Sequence, residues 1–67
     1  MAVAKISEII ASSKISFDDA IKQGIRRADK TLNNIKSAWI KDQQLVIEKG
    51  EITDYRVTMV LTFVLAD

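Results

Sequence analysis

The chain has 67 residues, with ten Lys and Arg against nine Asp and Glu and no His, Cys or Pro. This length predicts a single domain over residues 1–67, and so small a core is marginal unless disulfides, a metal or partner subunits support it. The lack of Cys and His removes disulfides, the thiolate nucleophile, the usual general base and the commonest metal ligand. We therefore expect self-association and do not expect an enzyme.

The near-neutral charge limits the partners further. A net charge of +1 lacks the clustered basic excess of a duplex-binding protein, so we expect no nucleic-acid partner. No run approaches the roughly 20 apolar residues that cross a bilayer, so we expect no membrane partner. Lys5 and Glu8 interrupt the mildly apolar start, which favours a strand over a signal peptide and a cytoplasmic location by default.

The first predicted element is a short β-strand over residues 3–11. Its residues alternate between two faces, with Ala4, Ile6 and Ile10 on one face and Ile9 on the other. The polar Ala-Ser-Ser-Lys stretch that follows is expected to end it.

A helix is predicted over residues 16–34, because apolar residues recur there at every third or fourth position. Ser16 is a good N-cap, and Asp19 stands where a short variant of the capping box would place its acid. Gly24 lies in the middle of the apolar stripe, where it costs roughly 1 kcal/mol relative to Ala. Its presence indicates a close approach of the helix to a sheet.

Two long strands are predicted over residues 36–48 and 51–66, joined by a tight turn at Lys49 and Gly50. In the second strand one face is entirely apolar and should lie against the helix: Tyr55, Val57, Met59, Leu61, Phe63 and Leu65. A two-residue turn without irregularities places Gln43 opposite Arg56 and turns Val46 towards the helix. A slip of one residue would turn every side chain to the other face.

These elements predict an α+β protein of β-α-β-β order, in which a three-stranded antiparallel sheet is wrapped around one helix. One helix covers one face of the sheet only. The other face is predicted to carry an apolar set that monomers seldom expose: Trp39, Leu45, Ile47, Val60 and Val64. Assembly of several copies is the expected way to cover it.

Trp39 is the most informative side chain, because its ring and its indole N–H both need a partner on the face away from the helix. One interpretation is burial at a subunit interface, and the other is a stacking platform for a flat aromatic ligand. Arg56 on the same face can donate hydrogen bonds, stack on a ring or contact Gln43.

Acidic side chains cluster in two places. Asp18 and Asp19 suit the positive start of the helix. Near the turn, Glu48, Glu51 and Asp54 could hold a hard cation such as calcium, although acidic residues at a turn are more often simply solvated.

Several segments together resemble the dodecins, over roughly residues 3–65. They are Ser-Phe-Asp-Asp-Ala-Ile at 16–21, Arg-Arg-Ala-Asp-Lys-Thr at 26–31, Asp-Gln at 42–43, Asp-Tyr-Arg at 54–56 and Val-Leu-Thr-Phe at 60–63. Dodecins are small flavin-binding proteins that form hollow homododecamers. The resemblance implies flavins stacked in pairs between tryptophans of two subunits, a glutamine on the ring edge, and storage rather than turnover.

The resemblance also shows two departures. Ser37 stands at the position of the flavin-stacking tryptophan, and Arg56 stands at that of the glutamine. A subgroup of dodecin-like proteins shares both features, and some of its members are described with calcium. Trp39 projects to the same face as Ser37, about 6–7 Å further along the strand, and can take over the stacking role.

We therefore expect a homo-oligomer, a dodecamer by resemblance, that sequesters flavin (FMN or riboflavin) or a similar planar ligand. The expected contacts are Trp39, Arg56, Ser37 and Gln43. The alternative is a dodecin-like shell that binds no flavin and has a structural or calcium-binding role.

Overall fold

The computed structural model describes residues 3–65. Its elements are the strand β1 (Ala4–Ser13), the helix α1 (Phe17–Ala28) and the strands β2 (Ile35–Glu48) and β3 (Glu51–Val64). The strands form one sheet in the order β1-β3-β2, and both pairings are antiparallel. The predicted α+β fold of β-α-β-β order is confirmed.

β1 extends two residues further than predicted. Ser12 pairs with Arg56 and Ser13 pairs with Tyr55, so the polar residues after Ala11 continue the ladder instead of ending it. The prediction weighed composition alone, whereas the central strand β3 offers backbone partners along this whole length.

α1 begins as predicted and ends six residues earlier. The Ser16 hydroxyl accepts a hydrogen bond from the backbone N–H of Asp19 at 3.0 Å, as an N-cap should. The helix ends at Ala28 with Asp29 as its cap, and Asn34 adopts a left-handed φ of 61°. Leu32 still packs against the core, so the three-or-four-residue spacing of apolar side chains that predicted the helix continues past its last helical residue.

Gly24 marks the point where the helix approaches the sheet most closely. A Cβ built at this position would lie 2.6 Å from Met59 Cε and 2.9 Å from Ala11 Cβ. Both distances are shorter than real carbon contacts, so the position has no room for a larger residue. The close approach predicted from the sequence is confirmed.

The turn between β2 and β3 also matches its prediction. Lys49 and Gly50 have φ values of 52° and 77°, and two consecutive positive φ values are the signature of the type I′ hairpin turn.

The register of β2 on β3 departs from the prediction, because three irregularities interrupt it. Lys36 and Lys41 on β2 and Thr53 on β3 are each left without a partner in the ladder. Between Lys41 and Thr53 every pair is shifted by one residue from the prediction, so that Arg56 faces Gln44 and Gln43 faces Val57. The predicted pairing of Gln43 with Arg56 is therefore wrong.

The same shift corrects the predicted faces of the β2 side chains near the turn. Leu45 pairs with Tyr55, and paired residues share a face, so Leu45 lies on the helix side. Val46, which was expected against the helix, pairs with Asp54 and lies on the opposite side. Because side chains alternate along β2, Ile47 also lies on the helix side and not on the face away from the helix, where it was expected.

The core lies between α1 and the middle of the sheet. Three residues of β3 are fully buried: Val57, Met59 and Leu61. Ala20 of the helix is also fully buried, and Ala28 is nearly so. Tyr55 and Phe63 are half-buried on the same face, and Phe17 packs edge-on against Tyr55 with ring centroids 5.3 Å apart. The predicted apolar face of β3 is confirmed over these five residues, while Leu65 lies beyond the strand and is 43% exposed.

The β2–β3 hairpin extends beyond the rest of the sheet. β1 pairs no further than Tyr55, so the segments 46–48 and 51–54 form a two-stranded ribbon, which we call the overhang. The molecule is 51 Å long with a radius of gyration of 13.8 Å, whereas a compact domain of this length has about 11 Å. Within the described residues, no helix has the length and apolar character needed to cross a membrane.

Candidate functional site

The face of the sheet opposite the helix, which we call the open face, is the candidate site. Because β1 pairs with β3 without irregularity, the residues that lie on the open face follow from the register of the strands. In the three-stranded part of the sheet, the paired residues of the open face are Arg56, Thr58, Val60, Thr62 and Val64 of β3, Ala4, Ile6, Glu8, Ile10 and Ser12 of β1, and Ser37, Trp39, Asp42 and Gln44 of β2.

Trp39 lies near the middle of the open face, opposite Val60. Its side chain is 67% exposed, and Ile6 and Ile10 on β1 are each 66% exposed. A tryptophan and two isoleucines left this bare form an apolar surface of the kind that marks a binding or assembly site. The apolar open face predicted from the sequence is present, with Ile6 and Ile10 in place of Leu45 and Ile47.

An ion pair crosses the open face beside Trp39. Lys41 Nζ lies 3.1 Å from Glu8 Oε1, and the two residues belong to the outer strands, so the ion pair spans the central strand β3. Lys41 reaches this face as the bulge residue of β2. Both side chains are about half exposed, and such a pair adds little stability, of the order of 0–1 kcal/mol. It leaves no net charge next to the indole.

Arg56 lies on the open face between Ser12 and Gln44. It is half-buried, and its guanidinium makes no hydrogen bond or ion pair with any residue in the range 3–65. It lies four positions before Val60, the residue opposite Trp39, which is about 13 Å along the strand.

The structure brings three of the four predicted contacts to one face. Ser37 pairs with Thr62 and shares the open face with Trp39 and Arg56. Gln43 lies on the helix side, and Gln44 occupies the place expected for it. Asp42 was missed, because nothing in the composition of β2 indicates that a bulge at Lys41 turns the residues after it to the other face.

Asp19, at the start of the helix, has a structural role. Ser13, which is buried, donates its hydroxyl hydrogen to Asp19 Oδ2 at 2.6 Å, and Gln23 Nε2 donates to the same oxygen at 2.7 Å. These two hydrogen bonds, with weaker attraction from Arg26 and Lys22, lower the pKa of Asp19. The Asp19 carboxylate thus accepts from Ser13 and not from the backbone N–H of Ser16. Of the two hydrogen bonds of the predicted capping box, the one from the Asp19 N–H to the Ser16 hydroxyl forms, and the return bond to the Asp19 carboxylate does not.

The acidic residues near the turn do not converge. Asp54 Oδ1 lies 3.7 Å from Lys14 Nζ, and Glu48 and Glu51 pair across the hairpin with exposed side chains. In the part of the chain that the structure describes, no group of three or more acidic residues is placed to hold a metal ion.

Comparisons with known proteins agree on one family. The family profile named Dodecin matches residues 3–66. The dodecin of Streptomyces davaonensis has 29% identity and a TM-score of 0.94, over 98% of this chain and 97% of that one. A dodecin variant from Thermus thermophilus has 25% identity and a TM-score of 0.93, over 100% and 98%.

A third relative has calcium in its name. The curated calcium dodecin of Mycobacterium tuberculosis is 25% identical over 63 residues, which cover 94% of this chain and 89% of that protein.

Proposed function

The chain belongs to the dodecin family, as its sequence indicated, and from this premise we propose that it is a homo-oligomeric protein that holds a flavin between its copies. The proposed ligand is FMN, riboflavin or a similar planar ring, and the proposed role is storage without catalysis in the cytoplasm. Dodecamer formation is part of the proposal, on the strength of the family. Trp39 is the proposed stacking residue, with Ser37 beside it and Arg56 as a polar contact further along the face.

The observation that carries the proposal is the exposure of Trp39 in the middle of an apolar face. An indole that is 67% exposed offers its π-face to a flat ring, and such stacking contributes about 0.5–1.5 kcal/mol beyond the area that it buries. One chain supplies a surface for one side of a ligand, so a second copy is needed for the other side. Ser37, a small residue two positions away, leaves room for the ring to shift towards Trp39.

The experiment is a titration of FMN and riboflavin fluorescence with the purified oligomer. We expect quenching in the wild type, little change in Trp39→Phe, which keeps an aromatic ring, and loss of quenching in Trp39→Ala. The oligomeric state of each variant, measured by light scattering, should stay that of the wild type. If neither flavin is quenched, and Trp39→Ala instead dissociates the oligomer, then Trp39 is an assembly residue and the flavin proposal is wrong.

The second candidate function is a shell that binds no flavin and has a calcium-binding or structural role. It is favoured by the similarity to the mycobacterial calcium dodecin, and by Ser37 in place of the usual tryptophan. Calorimetry of chelator-treated protein tests it. Heat of binding that saturates at millimolar calcium or below, without flavin quenching, supports this candidate, and the absence of heat removes the calcium role.

A further inference from the structure

We propose that the outer edge of β1, together with the groove between β1 and α1, binds an extended acidic peptide of another protein as a fourth strand of the sheet. The groove lies on the helix side of the sheet, so copies of the chain that cover the open face do not occupy it. The interaction is therefore additional to the proposed function and does not depend on it.

The backbone of β1 is unpaired along its outer edge. In an antiparallel ladder, alternate residues direct both their N–H and C=O groups towards the partner strand, and the others direct them away. The hydrogen bond from the Leu65 N–H to the Val3 C=O, at 2.9 Å, fixes this alternation for the pairing of β1 with β3. The residues whose backbone groups point outwards are therefore Ala4, Ile6, Glu8, Ile10 and Ser12. Such a row of donors and acceptors is a template for another strand.

The two edges of the sheet differ in how they are protected against such pairing. On β2 the ladder is interrupted at Lys36 and at Lys41, and bulges and lysines are devices that keep an edge strand from pairing with another chain. β1 pairs with β3 without a bulge over its whole length, and its residues 6–13 include neither Lys nor Pro. β1 is thus the edge at which a further strand fits.

A groove of about 630 Å³ follows this edge, within the range of about 300–1,000 Å³ that is usual for binding sites. Its floor consists of small residues, which are Ala11, Gly24 and Ala28. Its helix wall is a stripe of residues spaced by four, which are Gln23, Arg27 and Thr31. Since the side chains of a strand alternate between two faces, every second side chain of an added strand enters this groove.

The charge of the groove selects an acidic side chain. Among the described residues that line it, Arg27 is the only charged one, and its guanidinium makes no hydrogen bond or ion pair within residues 3–65. Its neighbours on the stripe are engaged, because Gln23 Nε2 donates to Asp19 at 2.7 Å and Thr31 Oγ1 donates to the Ala28 C=O at 3.3 Å. A carboxylate on the peptide is therefore the matching partner for Arg27.

The proposed contacts divide the work as in other complexes formed by strand addition. Main-chain hydrogen bonds to β1 supply most of the affinity, and the side chains that enter the groove supply the specificity. The chemistry of the partner is thus an extended segment with small apolar residues and one Asp or Glu on the same face.

The test is a calorimetric titration of the purified oligomer with the end-blocked peptide Thr-Val-Thr-Glu-Thr-Val-Thr, in which Val and Glu share one face. Peptides with Gln or Lys in place of Glu test the charge. Two further peptides test the backbone, one N-methylated at Val and Glu and the other at Thr. Only one of these two sets of N–H groups faces β1 in an added strand, so each peptide is the control for the other.

The matched protein variants are Arg27→Gln, which removes the charge of the groove, and Arg26→Gln, which removes the same charge from an exposed residue outside it. Gel filtration checks that both keep the wild-type assembly. Amide hydrogen exchange of the oligomer, with and without peptide, reports whether the edge is free.

We expect saturable binding of the Glu peptide, and binding about threefold weaker for the Gln peptide or in Arg27→Gln, the size of effect for an exposed ion pair. The Lys peptide should bind more weakly still, and Arg26→Gln should bind the Glu peptide as the wild type does. One N-methylated peptide should lose binding and the other should keep it. Without peptide, exchange should be fast at the outward amides, and the peptide should slow it at Ile6, Glu8, Ile10 and Ser12.

Four results would overturn the proposal. Absence of binding heat would show that the edge takes no strand, and equal effects of the two N-methylated peptides would show that the backbone of β1 is not the contact. Slow exchange at the outward amides without peptide would show that a second copy already occupies the edge. Glu-peptide binding that is unchanged in Arg27→Gln, or that is weakened equally in Arg26→Gln, would remove the acidic specificity assigned to the groove.

Discussion

At the scale of single residues, Gly24 shows how one missing methyl group sets the distance between helix and sheet. We predict that Gly24→Ala lowers the melting temperature, although Ala favours a helix over Gly by about 1 kcal/mol. The added Cβ would meet Met59 Cε at 2.6 Å and Ala11 Cβ at 2.9 Å, and overpacking of this kind costs about 1–3 kcal/mol. The neighbouring Gln23 is unsuitable as a control, because its side chain hydrogen-bonds to Asp19. The control is Lys22→Ala, since Lys22 is exposed and its substitution should change the melting temperature little. A stabilised Gly24→Ala would show that the helix can retreat from the sheet.

Ser13 is the second residue on which local structure depends. Its hydroxyl donates to Asp19 and accepts from the backbone N–H groups of Ile15 and Ser16, at 2.9 and 3.4 Å. Because the side chain is buried, Ser13→Ala leaves these groups without their partner and should cost about 1–3 kcal/mol of the free energy of unfolding. Denaturant unfolding measures it, with exposed Ser12→Ala as the neighbouring control. Equal effects of the two substitutions would contradict the role given to Ser13.

Asp19 makes the free energy of unfolding depend on pH in the acid range. Its hydrogen bonds with Ser13 and Gln23 hold its pKa below the ordinary value of 3.8, so the unfolded state binds the proton first. The stabilisation is therefore complete above about pH 4–5 and is lost as the pH falls through the lowered pKa. We predict a smaller loss of stability below pH 4 in Asp19→Asn than in the wild type, measured as denaturation midpoints against pH. Parallel curves would rule out this contribution.

At the scale of the elements, the overhang is the least supported part of the fold. A two-stranded ribbon is at best marginally stable in water, yet Ile47 and Ile52 are 59% and 49% exposed on it. We expect a second copy to cover these side chains in the assembly. Ile52→Glu should lower the oligomeric mass measured by light scattering, whereas Glu51→Gln on the same ribbon should not. An unchanged mass in Ile52→Glu would place the subunit contacts elsewhere.

The elements themselves could be predicted from the sequence because their signals are periodic. Alternation identified β3, the three-or-four spacing identified α1, and Lys49 and Gly50 identified the hairpin turn. The end of α1 could not be read, since Leu32 keeps the spacing after the backbone has left the helix. The bulges at Lys41 and Thr53 carry no residue signature, and each moves the following side chains to the other face. For this reason Trp39, Ser37 and Arg56 were placed on the correct face and Gln43 was not.

At the scale of the whole molecule, surface area argues that one copy is incomplete. The chain exposes 5054 Å², whereas a compact protein of this mass exposes about 4,200 Å². The excess agrees with the bare open face and the uncovered overhang. Because the family is oligomeric, we expect contacts with other copies of the chain to cover this excess surface.

Val60 tests the covering of the open face directly. It pairs with Trp39 on one side and Glu8 on the other, so Val60→Glu would bury an unpaired charge beside an existing carboxylate in the assembly. We predict monomeric or unfolded protein for this variant, by light scattering and circular dichroism. Lys22→Glu, exposed on the helix, should assemble normally. The wild type should also show a melting temperature that rises with protein concentration, and a folded oligomer of Val60→Glu would contradict the burial of this face.

The order β1-β3-β2 has a consequence for biosynthesis. β3 is the neighbour of both other strands and follows both in the chain, so no strand can pair until β3 has been translated. A nascent chain that lacks β3 has no ladder, and its two early strands must wait as unpaired segments. Sheet closure, and any docking between copies that depends on it, is therefore deferred until synthesis has passed Val64.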